Sequence, residues 1–131
     1  MIKLEKIHFE RQSEIDSRDV FWLHRAADKR CTAVELVERA LKNQNEIFRI
    51  TGDATGVIVV AADGNKLSVE GFAGKGIVKH FAEVYKQVRL LAAVKGLEII
   101  SGYVQRPGIA ELYRKHTGGK PVLTLWEEKL L

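Results

Sequence analysis

Residues 71–81 read Gly-Phe-Ala-Gly-Lys-Gly-Ile-Val-Lys-His-Phe, with glycine at 71, 74 and 76 and an amphipathic run directly behind. Glycine has no Cβ, so its backbone can come close to a ligand. Several N–H groups converging at the start of a helix, where the helix dipole is positive, make a seat for a phosphate or diphosphate. Lys75 adds a movable cation. The same residues would also serve as a plain turn between a strand and a helix, and the glycines alone do not separate these readings.

Other chemistries find less support. His8, His24, His80 and His116 are scattered, with no pair at the i, i+4 spacing of a helical metal site, and no metal is expected. Cys31 is the only cysteine, which excludes an internal disulfide and a cysteine-rich zinc site. It is expected as a small core or interface residue. No Ser–His–Asp or Cys–His constellation follows from the spacing. Net charge is +4, from 21 Lys plus Arg against 17 Asp plus Glu. The basic residues are spread along the chain without the patch or tail typical of nucleic-acid binders, which argues against a nucleic-acid partner. An anionic small molecule is served equally well.

The elements that must position this chemistry are legible in outline. The chain has 131 residues, 46% hydrophobic and 29% charged, which suits one folded domain over residues 1–131. No apolar run approaches the roughly 20 residues that span a bilayer. The start, MIKLEKIHFERQ, lacks a signal-peptide apolar region, so a cytoplasmic protein without membrane contact is expected. Ile2–Phe9 alternates crudely, as an edge strand would. A helix is predicted over about 17–28 from Val20, Leu23 and Ala27. Thr32-Ala33-Val34-Glu35 is a capping box that opens a second helix ending near Asn43 to Asn45. Glu46–Thr51, Val57–Ala62 and Lys66–Phe72 then read as a three-stranded meander, with a hairpin turn at Asp63-Gly64-Asn65.

Ile77, Phe81, Val84, Val88 and Leu91 define a long amphipathic helix that Gly96 closes. Leu97–Val104 is a strand, Arg106-Pro107-Gly108 opens another helix, and Pro121–Leu130 is a last strand. The strand–helix–strand crossover makes the last meander strand parallel to the next. The fold class is α+β, a mixed, mostly antiparallel sheet with helices on both faces. Trp22 and Trp126 are read as core or interface, and Lys86, Arg89 and Lys95 as the solvated face of the long helix.

This order, with the glycine turn where it stands, resembles the GNAT family of acyl-CoA-dependent N-acyltransferases. The resemblance covers nearly the whole chain in element order, and is specific in sequence only from about Val69 to Gly119. Ala73-Gly74-Lys75-Gly76-Ile77-Val78 occupies the place of the family's Arg/Gln-x-x-Gly-x-Gly/Ala motif, and Arg106 to Gly118 that of its later helix with a Leu-Tyr pair, here Leu112-Tyr113. The Arg/Gln position is held by Ala73, or by Gly71 in the alternative register. The closing Gly/Ala is Val78, and the Asn of the later helix is Arg106. The resemblance implies acetyl-CoA as co-substrate and direct transfer to an amine, from a small molecule or a protein. It places the diphosphate on Gly74, Lys75, Gly76 and Ile77, with Arg106 adding charge. Pantetheine would lie between the splayed ends of two strands, Ser68 to Gly71 on one side, with Val69 and Gly71 as cofactor-binding residues, and Ser101 to Gln105 on the other. Tyr113 matches the tyrosine that protonates the departing thiolate. Glu70 stands where a carboxylate could deprotonate the amine, with Glu98 a weaker candidate of the same kind. In its short length the chain also looks like the GNAT-like proteins that phage genomes carry, some of which are structural. That implies an alternative role as a non-catalytic binding or assembly module. Dimerisation through the last strand, with Leu123, Leu125 and the Leu130-Leu131 end, fits either role.

Overall fold

The computed structural model describes residues 1–27, 31–103, 114–115, 120–122 and 125–129. Seven strands form one sheet: β1 (Ile2–Lys6), β2 (Glu46–Gly52), β3 (Thr55–Asp63), β4 (Lys66–Lys75), β5 (Ile99–Tyr103), β6 (Lys120–Val122) and β7 (Leu125–Lys129). Their spatial order is β1-β2-β3-β4-β5-β7-β6. All neighbours are antiparallel except β4 and β5, which are parallel as the crossover requires. Helices α1 (Ser17–Ala26) and α2 (Ala33–Leu41) lie on one face and α3 (Phe81–Val94) on the other.

The central strand β3 shows why this layering forms. Its run Val57-Ile58-Val59-Val60 is buried on both sides. Val57 and Val59 pack with Leu23 of α1 and Leu36 and Val37 of α2, whereas Ile58 and Val60 pack with Phe81, Val84 and Val88 of α3. Strict period-2 alternation thus divides one apolar strand between two cores, and each fully buried side chain contributes about 1.5–3 kcal/mol.

The helix ends follow their local signals. Thr32 Oγ1 accepts from the Glu35 N–H at 3.2 Å, and the Glu35 carboxylate accepts from the Thr32 N–H, completing the capping box. Helix α3 closes in a Schellman motif. Gly96 stands at φ 71°, its N–H reaches the Ala93 carbonyl, and the Leu97 N–H reaches that of Ala92. The hairpin Asp63-Gly64-Asn65-Lys66 turns on Gly64 at φ 61°.

Three expectations need correction. Strand β4 continues past Phe72 to Lys75, because β3 extends down to Thr55 and pairs with it throughout. Helix α3 starts at Phe81 and not directly after Gly76; residues 77–80 form a turn closed by the His80 N–H on the Gly76 carbonyl. The last strand is two strands, β6 and β7, paired antiparallel with Val122 opposite Leu125. Pro121 then falls on the edge strand β6, where a missing N–H is tolerated. Strand β7 has a partner on each side, and β1 and β6 are the sheet's edges. The predicted helix from Arg106 lies outside the described residues apart from Arg114 and Lys115, which are helical.

One ionic cluster ties the layers together. Glu46 at the start of β2 contacts Lys95 at the end of α3 and Lys6 of β1, the latter at 3.3 Å. Burial pushes the Glu46 carboxyl up, but hydrogen bonds from Lys95 and Lys6 outweigh it and hold the group below the ordinary carboxylate value. A lowered folded-state value means that the stabilisation is complete above about pH 4.5 and is lost as pH falls through the lowered value. Urea unfolding of Glu46→Gln should therefore show a loss of about 0.5–1 kcal/mol at pH 7, shrinking towards zero in the acid range.

Candidate functional site

Strand β4 carries one residue more than β3 can match. Val60 lies opposite Val69 and Val59 opposite Gly71, which leaves Glu70 as the extra residue of a β-bulge. A bulge re-aims side chains and frequently stands beside an active site. Leu67, Val69 and Phe72 pack on the α3 side, while Gly71 and Ala73 face α1 and α2. Glu70 joins that second face: its Oε2 accepts from Arg39 Nη1 of α2 at 2.6 Å.

On its other edge β4 pairs with β5. The parallel ladder runs from Lys66 opposite Ile99 to Val69 opposite Gly102 and ends there. From Glu70 to Lys75, β4 has β3 on one side and no ladder partner among the described residues on the other. Among the described residues the β4–β5 ladder thus ends beside the bulge, while β4 runs on to the Gly76 turn before α3.

The expected site residues divide between these places. Val69 is the last residue of β4 in the ladder to β5. Gly71 lies under α1, where a Cβ would come within 3.3 Å of the Ala26 Cβ. Gly74 is in β4 opposite Gly56, and a Cβ on it would overlap the Thr55 carbonyl oxygen and press on the Gly56 Cα. Lys75 is the exposed last residue of β4, opposite Thr55. Gly76 has φ 79°, the left-handed conformation that reverses the strand into the turn. Ile77 points into the α3 core, 5% exposed. Val78, expected in the first turn of the helix, precedes the helix and is exposed. Tyr113 and Arg106 lie outside the described residues. Glu98 sits at the far end of β4, with its N–H on the Asn65 carbonyl, away from the bulge.

Helix α3 starts without a side-chain cap at His80. By helix geometry the N–H groups of Ala82 and Glu83, in its first turn, have no i−4 partner within the helix. They face the same turn as exposed Lys75 and Lys79. The helix dipole adds partial positive charge there, with Lys75 and Lys79 as cations and Glu83 and Asp53 as nearby acids. Asp53 on the neighbouring β2–β3 turn is held below the ordinary value mainly by the chain's terminal ammonium on Met1, with smaller contributions from His80 and Lys79.

A separate cleft of about 560 Å³ opens between the start of α1 and the ends of β2 and β3. Asp19, Arg49, Trp22 and Thr55 are among its lining residues. Asp19 is buried and takes Arg49 Nε at 3.0 Å and Nη2 at 2.5 Å. Both Asp19 oxygens accept from Arg49, whereas only Oε2 of Glu70 is paired among the described residues. Among the described residues no cluster of three metal-ligating side chains occurs, and no helix is long and apolar enough to cross a membrane.

Three features of the site escaped sequence reasoning. Arg39 lies on the flank of an ordinary amphipathic helix, and nothing local marks its ion pair. The bulge lies between Val69 and a glycine, where phase is unreadable. Ala73, at the motif's Arg/Gln position, is half-buried and packs against the α1–α2 core.

A parallel pair whose ladder ends beside a bulge, with a glycine turn and a helix start beyond it, is the architecture of the GNAT acyl-CoA N-acyltransferase fold. This chain has that fold. Among solved structures it is similar to an acetyltransferase from Bacillus subtilis in complex with CoA, at TM-score 0.66 and 14% identity over 100% of both chains. It is also similar to an acetyltransferase of the GNAT family from Staphylococcus aureus Mu50, at TM-score 0.64 and 10% identity over 100% of both chains. An IAA acetyltransferase from Bacillus cereus matches at TM-score 0.63 and 11% identity, covering 99% of this chain and 100% of its own. No protein-family model and no curated protein matches the chain.

The backbone contact at Gly74 gives a stability prediction that is independent of any cofactor. Gly74→Ala should lower unfolding free energy by about 2–3 kcal/mol, because two paired strands must move apart to admit one methyl. Gly76→Ala should cost about 1–2 kcal/mol through its left-handed backbone. Urea denaturation of the two variants should rank them in that order.

Proposed function

We propose that the protein is an acetyl-CoA-dependent N-acetyltransferase that moves the acyl group directly from the thioester to an amine. The observation that carries this reading is the edge of β4 from Glu70 to Lys75, which has no ladder partner among the described residues, starts at a carboxylate and ends at the turn into α3. The backbone N–H and C=O groups of that edge suit the amides of pantetheine, which would extend the ladder as a further strand does. The diphosphate would rest on the turn from Gly76 and the first N–H groups of α3, with Lys75 and Lys79 neutralising its charge. Gly74 supports this seat from below by letting β4 run close to β3.

Acetyl-CoA supplies a thioester carbonyl carbon open to nucleophiles. Glu70 takes one proton from the amine's ammonium form, freeing its lone pair. The nitrogen then bonds to the carbonyl carbon while the C–S bond breaks. Tyr113 gives its proton to the departing sulfur and regains one from the nitrogen, and Glu70 passes its own proton to solvent. A tyrosine, with its ordinary value near 10, can protonate a thiolate at neutral pH. Arg106 would add charge beside the cofactor.

Calorimetric titration with acetyl-CoA tests the reading. Wild type should bind, and Lys79→Glu, an exposed change, should weaken binding about 3–10-fold by placing an acid at the diphosphate. Tyr113→Phe should lower kcat about 10²-fold with cofactor affinity kept. Absence of binding at millimolar acetyl-CoA would end the proposal.

A further inference from the structure

The carboxylate in the bulge is only half satisfied. Glu70 Oε2 takes Arg39, but Oε1 is buried and receives no hydrogen bond from the described residues. An orphaned buried acceptor costs on the order of 1–3 kcal/mol, so its persistence points to a donor that arrives with a ligand. Its partner Arg39 is unequally used. Nη1 serves both Glu70, at 2.6 Å, and Cys31 Sγ, at 3.9 Å, while the side chain is 39% exposed against 15% for Glu70. Burial alone would pull the guanidinium value down, but Cys31 and Glu70 hold it above the ordinary one, so it stays charged. The pair therefore presents an inner anion and an outer cation side by side.

A ligand with one charge fits this pair badly. A simple ammonium on Oε1 gains nothing from the neighbouring guanidinium, whose charge repels it. A ligand with an ammonium and a carboxylate on one carbon answers both groups. Its ammonium donates to Oε1, and its carboxylate lies along the outer N–H edge of the guanidinium, which suits that planar anion. We propose that the acceptor is an α-amino acid, held through its carboxylate by Arg39 and through its amine by Glu70. This names the substrate class of the acetyl-transfer site and rests on that reading.

The test compares acceptors that differ only in the carboxylate: leucine against isopentylamine, and phenylalanine against phenethylamine, with acetyl-CoA and product read by chromatography. Each amino acid should exceed its amine in kcat/KM by about tenfold or more, and Arg39→Gln should bring the ratio to within about twofold of one. Equal use of amine and amino acid by wild type, or a ratio that survives Arg39→Gln, overturns the proposal. Since Arg39→Gln also leaves Glu70 unpaired, Arg39→Lys serves as the second variant. It keeps a cation beside Glu70 but loses the planar edge, and an undiminished ratio there also counts against the proposal. If no acceptor is acetylated, the transfer reading has failed, and the site is tested by NMR without acetyl-CoA. Leucine but not isopentylamine should shift the Arg39 Nε–H resonance; no shift with leucine overturns the amino-acid site.

Discussion

One extra residue in β4 sets the terms for the rest of the molecule. With Glu70 unmatched by β3, the side-chain phase of the strand reverses at its middle. Before the bulge, Leu67 and Val69 face α3; after it, Phe72 does, and Gly71 and Ala73 turn to the other layer. The bulge also bends the strand, and the ladder to β5 ends one residue before it, at Val69. A single register shift thus coincides with the end of the β4–β5 ladder, aims a carboxylate towards α2 and is followed by a stretch of β4 with no second ladder partner among the described residues. Both cores must tolerate the shift, and they do so with small residues. Gly71 admits Ala26 of α1, and Gly74 admits the β3 backbone.

Legibility in the sequence followed the range of the interactions. The capping box at Thr32 and Glu35, the glycine stop at Gly96 and the hairpin at Gly64 each depend on a few adjacent residues, and each stands where the sequence placed it. The apolar run of β3 and its burial are equally local in origin. The parallel pairing of β4 with β5 followed from the handedness of the crossover. The features that escaped were decided by partners distant in the chain. The length of β4 depends on how far β3 extends, and the delayed start of α3 on the turn that Gly76 needs. The β6–β7 hairpin depends on pairing with β5. The contact of Arg39 with Glu70 joins residues from different layers, and no periodicity encodes it.

The glycine run illustrates the limit most sharply. Its three glycines answer three separate demands: space under a helix at 71, close strand approach at 74 and a left-handed backbone at 76. None of these by itself concerns a phosphate. The proposed diphosphate seat draws instead on the residues after the last glycine, which form a turn and a helix start without a side-chain cap, together with the two exposed lysines at 75 and 79. A motif search weights the glycines, whereas the chemistry depends on the N–H groups that they allow to converge.

The same reasoning explains why a departure from the family motif need not remove the site. Position 73 faces the α1–α2 layer in this register, so the proposed seat draws on no side chain there. In the proposed site charge would come instead from Lys75 and Lys79, which are exposed at the strand end and in the turn. Backbone donors require no particular side chain, and they are fixed by the fold before any ligand arrives. A site built in this way can change its side chains extensively and keep its geometry, which is consistent with a full-length structural likeness at about one residue in ten identical.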